Sequence, residues 1–118
     1  KSGDQAMDRL ESQRKAVREV LSHYQALNEK SDLATESELV FDEVHGHYLV
    51  MLMGWNRDER VKSTQIHVRL KDGKVWIEED RTEDGVATGL LENGVEKDEL
   101  VLAFHPPHLR QYTEFSTA

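Results

Sequence analysis

Ile66-His67-Val68-Arg69-Leu70-Lys71-Asp72-Gly73-Lys74-Val75-Trp76-Ile77 decides the fold class. From about Val61 to Leu70 the residues alternate with the period of a strand that has one covered face. Thr64, Ile66, Val68 and Leu70 share one side, and Ser63, Gln65, His67 and Arg69 share the other. Asp72-Gly73 supplies the positive-φ pair that a two-residue hairpin turn demands. Centring the turn there sets the register. Leu70 faces Val75, Val68 faces Ile77 and Ile66 faces Glu79 on the core side; Arg69 faces Trp76, His67 faces Glu78 and Gln65 faces Asp80 on the reverse. A one-residue slip would mix the apolar and polar sets.

Upstream, Leu39-Val40-Phe41 opens a strand expected to reach Val44, and His45-Gly46 supplies a turn. Tyr48 to Trp55 then completes a first hairpin and is apolar on both sides. Tyr48, Val50 and Leu52 lie on one, and Leu49, Met51, Met53 and Trp55 on the other. Such a strand is expected to be central and covered on both faces, by the long helix on one and by a partner chain or the returning C-terminal segment on the other. Further upstream, Leu10, Val17, Val20, Leu21, Tyr24 and Leu27 recur at helical spacing, with Gln13 and Arg14 interrupting the stripe. An amphipathic helix of about five turns over Met7–Leu27 follows. Residues 1–6 read as a disordered leader or extension, and residues 7–118 as a single domain.

Downstream, Thr82 is the expected N-cap of a second, short helix carrying Val86, Ala87, Leu90 and Leu91, with Gly94 at its end. Gly85 and Gly89 weaken that helix, and close approach to the sheet would account for them. Leu100–Phe104 is an apolar run stopped by His105-Pro106-Pro107. Leu109, Tyr112 and Phe115 make the C-terminal segment too apolar to hang free. The predicted architecture is α+β: a long N-terminal helix, an antiparallel sheet of two hairpins, a second short helix and a docked C-terminal segment.

Composition narrows the chemistry. The 118 residues hold 23 acidic and 15 basic side chains, a net charge of −8, and no cysteine. Thiol nucleophiles, disulfides and thiolate metal sites are therefore excluded. No apolar run approaches the roughly 18–20 residues that span a bilayer, and no signal-like segment opens the chain, so a cytoplasmic location without membrane contact is expected. The charge is segregated: −5 over Asp32–Val44, +3 over His45–Ile77 and −7 over Glu78–Glu99. A basic middle between acidic stretches suits a protein partner better than a nucleic acid, so direct nucleic-acid binding is not the favoured reading.

The side of the second hairpin bearing His67, Arg69, Trp76 and Glu78 is the leading candidate for interface or ligand contact. A His opposite a Glu is raw material for acid–base chemistry, but no nucleophile is tied to the pair, and no catalytic residue is assigned. His45-x-His47 and His105-x-x-His108 lack a third ligand, so neither a metal nor another cofactor is expected. Asp72-Gly73-Lys74 with Glu78, Glu79 and Asp80 is the nearest approach to a metal-dependent nuclease, yet the turn already explains Asp72-Gly73. Gly85-Val86-Ala87-Thr88-Gly89 follows acidic residues and is no phosphate cradle. Arg57, Arg60, Lys62 and Arg69 make only a thin nucleic-acid surface.

Several blocks carry a family likeness: Leu39-Val40-Phe41-Asp42, His47-Tyr48, Met53-Gly54-Trp55, the hairpin Ile66 to Ile77, Asp80-Arg81-Thr82-Glu83-Asp84-Gly85-Val86-Ala87, Leu90-Leu91, Gly94-Val95, Leu102-Ala103-Phe104-His105-Pro106-Pro107, Arg110-Gln111 and Thr113-Glu114-Phe115. In this order and spacing the chain resembles the XisI family, the fdxN element excision controlling factors, from Met7 to the C-terminus. The His45-Gly46 turn and Gly89 depart from that pattern. The resemblance implies a small cyanobacterial α+β protein acting beside a XisH-like partner in programmed excision of a DNA element by a separate recombinase. Non-enzymatic action by protein–protein contact is the expected function, with a nuclease subunit or a weak DNA-binding protein as alternatives. A homo-oligomer is expected from the apolar surface that the sheet leaves uncovered. Trp55 on the second strand, with His105, Arg110, Tyr112 and Phe115 near the C-terminus, joins the candidate contact residues.

Overall fold

A computed structural model describes residues 2–31 and 35–117. The first helix, α1, spans Ser2–Glu29, so the stretch read as a loose leader continues the helix backbone. From Met7 onward it is rich in straight-chain residues and holds no Gly or Pro, which favours unbroken helix. Ala16, Val17, Val20 and Leu21 form its buried stripe. Leu27, assigned to that stripe, stays half exposed. Gln13 does not interrupt the stripe but belongs to it: it is buried, and its Nε2 donates to the Gly73 carbonyl at 2.9 Å and to Glu99 Oε1 at 3.3 Å. A buried amide is tolerable when a hydrogen bond replaces the lost water.

Five strands form one sheet in the order β1-β2-β3-β4-β5. These are β1 Thr35–Asp42, β2 His47–Asn56, β3 Glu59–Lys71, β4 Lys74–Asp80 and β5 Leu100–Leu102. The first four make a continuous antiparallel meander, in which the two expected hairpins are joined by pairing of β2 with β3 across the Arg57-Asp58 turn. The fifth joins β4 in parallel, after a second helix, α2, over Val86–Glu92. Val44 lies in the first turn, outside β1, and is exposed. Gly46 in that turn has φ +73°, and a Cβ there would sit 2.5 Å from the Leu70 carbonyl oxygen. The Leu70 N–H in turn donates to the Gly46 carbonyl at 2.8 Å. Only glycine satisfies both the backbone angle and the approach.

Two β-bulges correct the predicted register. Between Val50 and Met51 the partner on β3 jumps from Ile66 to Thr64, leaving Gln65 as the extra residue. Thr64 thereby leaves the core side and donates its hydroxyl to Met51 Sδ, while Gln65 turns to the helix side and accepts from Asn28 Nδ2 at 2.8 Å. On β4, Glu78 is the extra residue: Arg69–Trp76, Val68–Ile77 and Leu70–Val75 pair as expected, but His67 faces Glu79 and Ile66 faces Asp80. A bulge puts two residues against one and redirects the side chains beyond it.

The core lies between α1, α2 and one face of the sheet, where Tyr48, Val50, Ile66, Val68, Val75, Ile77 and Leu100 are buried. Each fully buried Val, Leu or Ile contributes about 1.5–3 kcal/mol. Gly85, at φ +85°, rather than Thr82, precedes α2. Asp80 organises the turn, accepting from Thr82 N and Oγ1 with one carboxylate oxygen and from the Val86 amide, at 2.7 Å, with the other. Gly89 approaches Val20 of α1, not the sheet; a Cβ would lie 3.3 Å from both Val20 methyls. Gly94, at φ +96°, ends α2 with the Val95 amide bonded back to the Leu90 carbonyl, the geometry of a Schellman cap.

Candidate functional site

Of the candidate residues, Trp55, His67, Arg69 and Trp76 stand on the face of the sheet turned away from α1. Alternation places Glu36, Glu38, Val40 and Asp42 of β1 there, with His47, Leu49, Met51, Met53 and Trp55 of β2, Arg60, Lys62, Thr64, His67 and Arg69 of β3, and Trp76 of β4. Directly opposed residues share a face, so the side chains stand in rows. Asp42, His47, Arg69 and Trp76 make one row; Val40, Leu49 and His67 make the next. Of the two covers expected for this face, the C-terminal segment does not reach over β1–β3. Leu49, Met51 and Met53 are half-buried, and Val40 and Trp55 are 45% and 54% exposed.

Over β4 and β5 the same face is covered by the chain itself. Pro107–Tyr112 forms a 3-10 helix whose Arg110 guanidinium lies 5.7 Å from the Trp76 ring centre, in cation–π range. Arg110 is aimed by its own backbone, donating to the carbonyls of His105 at 3.0 Å and Ala103 at 3.3 Å. Lys71 reaches the same ring at 5.5 Å, and the Trp76 indole N–H donates to the Lys71 carbonyl at 2.9 Å. Beside Trp76 in the register, Val101 is fully buried yet stands apart from the core cluster, as expected for a residue under this C-terminal cover. The segment ends as a strap: Ser116 bridges in parallel to Val101, its amide donates to the Leu100 carbonyl, and its hydroxyl accepts from Lys74 Nζ.

His67 does not pair with Glu78. Its Nε2 lies 2.9 Å from Nδ1 of His47 on β2, and Glu78 turns to Arg69 at 3.5 Å. One nitrogen of the imidazole pair must donate and the other accept, so both rings cannot be protonated while the bond stands. Burial, then the neighbouring His47, lowers the His67 pKa below its ordinary value, against smaller opposing effects of Glu78 and Glu79. The pattern showed both histidines but not their meeting, since the Arg57-Asp58 turn alone would set His47 against Val68. The bulge at Gln65 moves it to Arg69 and within reach of His67.

The remaining candidates scatter. Trp55 sits at the far end of β2, with Arg60 5.3 Å from its ring centre, beside a shallow hollow of about 540 Å³ that Glu36, Met53 and Gly54 also line. Tyr112 is largely exposed, Phe115 packs against the core, and the His105 ring lies 4.7 Å from that of Phe104. His45 bonds Asp42 at 2.7 Å and holds that carboxyl below its ordinary pKa. Among the described residues no group of three or more His, Asp or Glu is placed to hold a metal ion. The carboxylates of the nuclease reading have other partners: Glu78 pairs with Arg69, Glu79 with Arg81, and Asp80 caps the turn before α2. Asp72, at φ +54°, and Gly73, at φ +76°, build the hairpin turn. Among the described residues no helix is long and apolar enough to cross a membrane.

No curated protein matches the sequence. Two solved structures from Anabaena variabilis ATCC 29413 match it closely. One is the fdxN element excision controlling factor XisI, 30% identical, with a TM-score of 0.82 over 93% of this chain and 99% of that one. The other is a XisI-like protein, 32% identical, with a TM-score of 0.85 over 92% and 99%. The family model described as XisI protein spans residues 7–117, from the first turns of α1 through both bulged strands to the C-terminal strap. With sequence and architecture agreeing over that whole span, the chain belongs to the XisI protein family.

Proposed function

We propose that the protein is a non-catalytic accessory factor in the excision of a DNA element and acts by binding a XisH-like protein. The Anabaena relative described as an fdxN element excision controlling factor supports the process. The Trp76 corner supports the mode of action and carries the reading. A tryptophan flanked by Lys71 and Arg110, its N–H already used internally, presents an oriented apolar and cationic surface. Phe104, Leu109 and Tyr112 are exposed on the C-terminal segment that packs against it. Tryptophan and arginine at a preorganised site are the residue types that dominate binding energy at protein interfaces.

Calorimetric titration of the purified XisH-like protein into this chain, with Trp76→Ala in parallel, tests the proposal. The expected result is saturable binding of the wild type and at least a tenfold weaker Kd in the variant, with an unchanged circular dichroism spectrum. Binding indifferent to Trp76→Ala would remove the corner from the interface, and no binding by the wild type would remove the partner.

A further inference from the structure

Across the open face of β1–β3 the charges are sorted by strand. Exposed Glu36 and Glu38 stand on β1; exposed Arg60 and Lys62 stand on β3; between them runs the β2 stripe of Leu49, Met51, Met53 and Trp55. Register aligns them as Glu36–Met53–Lys62 and Glu38–Met51–Thr64. Two strand spacings, about 10 Å, separate the acidic row from the basic one. Among the described residues neither Glu36, Glu38 nor Lys62 forms an ion pair, and Arg60 bonds only the Gly54 carbonyl beside its contact with Trp55.

We infer that this face is the interface for a second copy of the chain, packed sheet to sheet about a two-fold axis parallel to β2. Symmetry singles out that axis. A half-turn about a line along β2 exchanges left and right, laying β1 of one copy over β3 of the other and β2 over β2. Glu36 then meets Lys62 of the second copy, twice in each dimer, and the methionine stripes close on themselves. A half-turn about a line across the strands sets acidic row on acidic row. Pairing along the free edge of β1 likewise crowds Glu36 and Glu38 together. Facing sheets cross at about 30°, which splays the ends and leaves the rows of Met51 and Met53 in closest register.

The patch is roughly 26 Å long and 15 Å wide, small beside a standard interface, so a micromolar, salt-sensitive dimer is expected. Sedimentation equilibrium over about 10–500 μM tests it. Wild type is expected to dimerise, more weakly as salt rises. Met51→Asp places two carboxylates on the axis and is expected to abolish dimers. Glu36→Lys or Lys62→Glu alone disrupts two pairs per dimer and is expected to raise Kd about tenfold; the double variant Glu36→Lys/Lys62→Glu is expected to recover to within about threefold of wild type. Both charge positions are exposed, so folding survives the swap. A monomer throughout the range overturns the inference, as does a dimer indifferent to Met51→Asp or a double variant no better than the singles. Trp76→Ala lies outside the patch and leaves dimerisation intact, so this result and partner binding succeed or fail separately.

Discussion

The two faces of the sheet are built from the same strands but obey different rules. Towards α1, β2 to β5 contribute fully buried aliphatic or aromatic groups and β1 adds the partly buried Leu39 and Phe41, while the amide nitrogen of Gln13 and the hydroxyl of Ser37 are hydrogen-bonded. On the reverse, apolar residues remain half open and charges are sorted by strand. The contrast teaches that apolarity on both sides of a strand reports two faces that avoid water, without saying that one chain covers both.

Stability should divide along the same line. Leu21→Ala empties a fully buried site under α1 and is expected to cost about 3–4 kcal/mol, lowering Tm by roughly 10–15 °C in calorimetry. A drop under about 1 kcal/mol would break the contrast. Gln13→Leu keeps the volume but strips the donor from the Gly73 carbonyl, and about 1–2 kcal/mol is expected in urea titration. At His67 the effect depends on pH. Its folded pKa lies below the ordinary 6.5, so the unfolded chain takes up a proton first as pH falls. Its contribution is therefore complete above about pH 6.5 and is lost as pH falls through the folded value. The urea midpoint of wild type should fall relative to that of His67→Phe on acidification, and parallel curves would refute this. Groups facing His67 are His47 on β2, Arg69 on β3, and Glu78 and Glu79 on β4. Smallest of all, Met53→Ala in dilute protein is expected to shift stability by no more than about 0.5 kcal/mol.

Much of this arrangement was legible in the residues. The α1 stripe, the Asp72-Gly73 turn and the pairs Leu70–Val75, Val68–Ile77 and Arg69–Trp76 follow from periodicity and turn chemistry alone. The misreadings have two physical sources. Bulges add a residue without leaving a mark in an alternating pattern, which is why Thr64 and Gln65 exchange faces and why Glu78 abandons His67 for Arg69. Long-range hydrogen bonds are also silent in sequence: Gln13 looked like a break in a stripe until the Gly73 carbonyl, 60 residues away, came within reach. The same holds for Asp80, whose carboxylate bonds the Val86 amide at the start of α2. At the candidate site the residue types were visible, but the assembly of Trp76 with Arg110 depends on a tail that folds back across the sheet.

The hydrogen bond from the Leu70 amide to the Gly46 carbonyl carries a consequence for how the chain folds. The turn joining the first two strands is completed by the backbone of the third, so that hairpin has no finished form of its own. Strands one to three should therefore open and close as a cooperative unit, and the Leu70 amide should exchange with deuterium only as slowly as that whole unit comes apart.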